Sequence, residues 1–189
     1  MDLGVIAGWS ALVAATATVL GAVLLGLFFA KGEPWGTLND IASIVLMLAI
    51  VPVAIRLAEI EDATAPGFAE ATAVIGIAGM LAATVAQAAL VLRLGTYRGL
   101  LPYTLGAGAV VGAWYVLVGV LGLAGRMPVP LAVLAIAAGV GFVAIGFGFW
   151  RGNERHPASV LGGIVLLVAS TIFLAWVGLS LLAGEALAA

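Results

Sequence analysis

The chain contains no cysteine. That absence removes disulfides, thiolate metal ligands and thiol redox chemistry together, and is compatible with any compartment. Charge is nearly as scarce: 7 Lys+Arg and 9 Asp+Glu stand among 189 residues, 8% of the chain, where a soluble domain carries about 25%. A surface facing water cannot be built from so few charged groups. The net charge of −2 offers no basic stripe to neutralise phosphates, which argues against nucleic acid as a partner. The one histidine, His156, stands in a loop between Arg155 and Pro157. Haem or zinc held inside a bundle wants at least two His or Cys ligands, and a Ser–His nucleophile pair wants a buried imidazole. His156 therefore reads as a solvated loop residue, and neither a metal nor a cofactor is implied. The one lysine, Lys31, falls at a helix end, so a mid-membrane Schiff base has no attachment point. No charged residue falls at mid-depth of an apolar run, which disfavours a proton-driven pump of the usual kind.

What is present is apolar length. The composition is 65% hydrophobic, with a mean hydropathy of +1.29. Runs of about 20 apolar residues read as membrane-spanning helices. Six are expected, over about 3–30, 40–58, 70–93, 104–124, 129–150 and 158–184. The fold class is all-α, a six-helix transmembrane bundle with short loops in one membrane domain. Met1-Asp2 has no basic n-region and the first run is too long for a signal peptide, so a retained first helix is expected. Lys31-Gly32-Glu33-Pro34, Arg98 to Pro102, Gly125 to Pro128 and Arg151 to Pro157 read as helix stops and starts. Cations offset the helix dipole there, Gly caps one helix and Pro opens the next.

Lys31, Arg93, Arg98, Arg151 and Arg155 belong to loops one, three and five, against Arg56 and Arg126 on the other side. By the positive-inside rule the first set is cytoplasmic and both termini face outward. Glu59, Glu61, Asp62 and Glu70 then form an acidic outer loop. Cation binding there is one reading, but no EF-hand spacing is present, and a solvated loop is the better one. Trp9, Trp35 and Trp150 fall at expected interfaces and read as anchors.

The interior is read from small and polar residues. Gly4/Gly8, Gly108/Gly112, Ala135/Gly139, Ala137/Gly141 and Ala144/Gly148 are four apart, a spacing that lets helix backbones approach closely in lipid. Contacts inside the bundle are expected, with a second copy as the alternative. Pro52 cannot donate to the carbonyl of Leu48, so a kink is expected in the second span. Gln87, with Thr84 one turn away, and the Trp114-Tyr115 pair form the candidate binding set. Depths counted from the expected inner ends let Gln87 and Tyr115 meet. The competing reading is an interhelical hydrogen bond acting as glue, worth about 0.6 kcal/mol. Thr16, Thr18, Ser170 and Thr171 read as structural hydroxyls bonded to their own helices.

One polar stretch remains, Gly32-Glu33-Pro34-Trp35-Gly36-Thr37-Leu38-Asn39-Asp40. Thr37 and Asp40 fit an acidic capping box, each serving the other's backbone N–H. Asn39 is not needed by that account, so Asn39 and Asp40 are also kept as a candidate cytoplasmic-face site. With the apolar helix that follows, this stretch resembles small polytopic prokaryotic membrane proteins that carry a Gly-x-Pro-aromatic-Gly-x-x-Asn-Asp turn after the first helix. The resemblance covers about a tenth of the chain. It implies a compact helical membrane fold and assigns no activity or functional residue. The excess of Ala, Gly and Val and of Arg over Lys also fits a prokaryotic source, hence a plasma membrane.

Two functions fit these residues best. One is a non-enzymatic scaffold, subunit or sensor-like module, with the lipid bilayer and a second copy or another membrane subunit as partners. The alternative is a small permease or channel for a neutral or apolar solute, lined by Thr84, Gln87, Trp114 and Tyr115. A membrane-edge enzyme using Glu33, Asp40 or His156 is the third reading, for which no second catalytic group is placed.

Overall fold

A computed structural model describes residues 2–125, 127–152 and 155–184. Arg126, counted above on the outer side, lies outside the described residues. The described residues form six long helices: α1 (Leu3–Lys31), α2 (Trp35–Glu61), α3 (Phe68–Val91), α4 (Tyr97–Ala124), α5 (Val129–Gly152) and α6 (Pro157–Ala183). All six are long and apolar enough to cross a membrane. The protein is an all-α bundle of transmembrane type.

Each helix packs on its neighbour in sequence, and α1 packs on α6. The result is an up-and-down ring closed on itself, in which α2 also touches α4. The glycines give the register. Gly76 of α3 meets Trp114 and Gly79 meets Val110, Gly119 of α4 meets Ala132 of α5, and Gly8 of α1 meets Leu182 of α6. Every one of these pairings is antiparallel.

Lipid tails are as apolar as leucine, so helix association here depends on close packing. The small-residue pairs supply it, and they are spent inside the ring. Gly8 lies against Gly178, Gly112 against Gly139, Gly141 against Gly162, and Gly148 against Ser159. A Cβ built on Gly119 would stand 2.5 Å from the carbonyl oxygen of Ala132. α5 thus presents one small-residue face to α4 and a second to α6.

Two helices start earlier than their hydropathy suggests. α4 begins at Tyr97, where the Thr96 hydroxyl accepts from the Gly99 N–H at 3.2 Å. α4 runs on through Pro102, which lies inside the helix. α2 begins at Trp35 and runs on through Pro52. The expected Thr37–Asp40 capping box does not form. Because the helix starts three residues earlier than that box requires, Thr37 is itself in the first turn, where N–H groups lack intrahelical acceptors. Glu33 serves it instead: its Oε2 accepts from the Thr37 N–H at 3.2 Å and from its hydroxyl at 3.0 Å. Asp40 and Arg56, expected near span ends, consequently lie more than one turn inside α2.

Valine at Gly119 is expected to force α4 and α5 apart and lower stability by about 1–3 kcal/mol. Alanine at Gly163, which has open space around it, should leave the thermal midpoint in detergent unchanged. Equal midpoints for both variants would refute the close-contact account of α4 and α5.

Candidate functional site

The centre of the ring is filled by large side chains. Trp114 and Tyr115 are consecutive on α4 and so point about 100° apart around it. Trp114 turns to α3, where its indole lies on Gly76, and a Cβ there would meet the ring at 2.5 Å. Tyr115 turns to α5 and α6. Its ring lies 5.7 Å from Phe173 and 6.0 Å from Phe142, with the Trp114 ring edge-on at 4.7 Å. Both residues are buried.

The Tyr115 hydroxyl meets Ser170 of α6 at 3.4 Å. Its partner is therefore not Gln87, and Ser170 does not spend its hydroxyl on its own helix. The helix starts explain the difference. With α4 beginning at Tyr97, and with Gly76 opposite Trp114, Gln87 stands level with Tyr103. That is about twelve residues, or about 18 Å, along α4 from Tyr115. Thr84 donates to the Met80 carbonyl at 2.9 Å. Thr16 and Thr18 donate to their own helix as expected, to Leu12 and Ala14, whereas the buried Thr171 hydroxyl has no partner.

The sequence-derived set thus splits in two. Trp114 and Tyr115 belong to the aromatic plug. Asn39, Asp40 and Gln87 stand together in level: Asp40 on α2 and Gln87 on α3 are each about 30 Å from the loop joining those helices. Asn39 Oδ1 faces Gly21 of α1, 3.5 Å from where a Cβ would sit. Gln87 Oε1 is buried without a hydrogen-bond partner. These half-buried side chains, which share a level on α2 and α3, are the candidate site residues.

No protein-family model, curated protein or solved structure matches the chain. Its reading therefore rests on its own geometry.

At the opposite end of α2 the structure corrects the acidic loop. Glu61 is only 6% exposed, and its Oε1 has no hydrogen-bond partner. Sequence reasoning grouped it with solvated Glu59 and Asp62. The missed signal is its phase: Ile50, Val53, Ala54 and Leu57 are buried on α2, and Glu61 continues that stripe one turn on. Glu59 pairs with Arg56 at 2.8 Å, and Asp62 accepts from the Gly67 N–H at 2.9 Å. Among the described residues, no three His, Cys, Asp or Glu side chains are grouped to hold a metal ion.

A buried polar group without a partner costs free energy. Glu61→Leu removes the unpartnered polar head at similar volume. It is expected to raise the thermal midpoint at neutral pH, a gain of about 1–3 kcal/mol. A lower midpoint would show that the native carboxylate is compensated.

Proposed function

We propose that this multi-pass protein is a non-enzymatic module of a prokaryotic plasma membrane, a scaffold or subunit that engages another membrane protein, with both termini outside. The observation that carries this reading is the filled centre. Trp114, Tyr115 and Phe173 occupy the middle of a ring whose helices close on one another. Such a body is suited to presenting its outer faces. The Gly/Ala stripes are consumed internally, so recognition falls to outward surfaces. An open groove on α6 of about 550 Å³, lined by Thr171, Ala175, Trp176 and Leu179, is one such surface. Trp176 and Leu179 give that groove exposed apolar side chains to pack against a partner helix. Crosslinking in native membranes from Cys substituted at Ala175 is expected to trap a second copy or a foreign subunit. A chain recovered only as an uncrosslinked monomer would refute the proposal.

A second reading, a permease for a small neutral solute, draws on the unpartnered Gln87 oxygen at the level of Asn39 and Asp40. Carriage would require the plug to move. In proteoliposomes it predicts solute uptake that falls at least tenfold in Gln87→Leu. Equal uptake by both proteins would remove Gln87 from any solute path.

A further inference from the structure

The end of α5 carries a group of side chains that neither reading uses. From Val129 to Phe149 the helix is uncharged. That run is about 31 Å long, close to the thickness of the bilayer's hydrocarbon core, about 30 Å. Trp150 and Arg151 therefore stand at headgroup level. Trp150 is 76% exposed and Phe147 is exposed beside it. The Arg151 guanidinium lies 5.3 Å from the Trp150 ring centroid and 5.6 Å from that of Phe147. Cation–π attraction to two rings restrains a side chain that is otherwise long and mobile. It leaves the guanidinium's N–H donors, which lie in the guanidinium plane, free to bond elsewhere. Among the described residues the ion pair found is Arg56–Glu59, and no described carboxylate claims Arg151.

The loop after α5 brings a second donor to the same edge. The His156 ring meets Phe147 edge-on at 6.2 Å. His156 Nδ1 accepts from the Ala158 N–H at 3.2 Å. An accepting Nδ1 places the imidazole proton on Nε2, which is then a donor. Phe147 thus ties Arg151 and His156 to one corner. The α4–α5 register puts Arg98 at the same level on the adjacent helix.

We infer that this corner binds the phosphate of an anionic phospholipid, with Arg151 as the phosphate-binding residue and Trp150 flanking the lipid's glycerol region. Guanidinium and phosphate oxygens pair bidentately, and the group sits on the end of the bundle that carries most of the cations. A lipid is favoured over a free phosphate ion because the charged donors adjoin exposed Phe147 and Trp150, which an acyl chain covers and an inorganic ion does not. The inference is independent of whether the bundle acts as a scaffold or a permease.

The test is native mass spectrometry of the full chain in detergent with phosphatidylglycerol or phosphatidylcholine added. Wild type is expected to retain phosphatidylglycerol at least fivefold over phosphatidylcholine. Arg151→Gln should abolish that preference while keeping the wild-type thermal midpoint. Lys31→Gln, which removes a cation from the same end but from another corner, should keep the preference. Retention unchanged in Arg151→Gln overturns the inference, and so does an equal loss in Lys31→Gln, which would mean diffuse charge rather than a site. Displacement of the lipid by millimolar inorganic phosphate would assign the corner to the free ion and overturn the lipid.

Discussion

Backbone-to-backbone contact is the constraint on which this bundle depends. Within a bilayer, burying leucine against leucine gains little over burying it against lipid. What distinguishes the folded arrangement is how closely the helices approach. Gly112 on Gly139, Gly141 on Gly162 and Gly8 on Gly178 let α4, α5, α6 and α1 pack in series with carbonyls facing the neighbouring helix. That tight arc sets the inner diameter of the ring. The large residues are then sized to what is left: Tyr115, Phe142 and Phe173 pack on one another where the arc curves, and Trp114 reaches across to Gly76. Small residues at the seams and aromatics in the middle are two parts of one solution.

The six helices and their antiparallel order were legible in the sequence, because apolar length is the strongest signal a membrane chain carries. The internal use of the small-residue pairs was legible too. Side-chain meetings between helices were not, because they depend on register, and register depends on where each helix begins. Tyr97 and Trp35 start their helices outside the apolar runs, one under the control of Thr96 and the other beside Glu33. Hydropathy does not see such caps. An error of about seven residues at the start of α4, from 104 to Tyr97, moved Tyr115 by about two turns relative to Gln87 and exchanged its partner for Ser170.

A misplaced helix end hid Glu61. A carboxylate three residues beyond an expected helix end looks solvated, while one in phase with Ile50, Val53 and Leu57 does not. Polar side chains are placed by helical phase, and phase persists only as far as the helix does. Gln87 and Asn39 show the converse. Their grouping depends on helix lengths on both sides of one short loop and on no local motif.

Asp40 and Arg56 bound the apolar part of α2. The sixteen-residue step between them is about 24 Å, while α1 and α6 are helices of 29 and 27 residues, uncharged apart from the terminal Lys31, each about 40 Å long. The molecule is therefore a wedge in hydrophobic thickness, narrow along α2 and tall along the α1–α6 seam. Lipid around it cannot match both sides with one thickness. The annulus is thinned beside α2 and stretched beside α6, or the whole bundle tilts, so that the protein imposes a direction on the membrane that surrounds it.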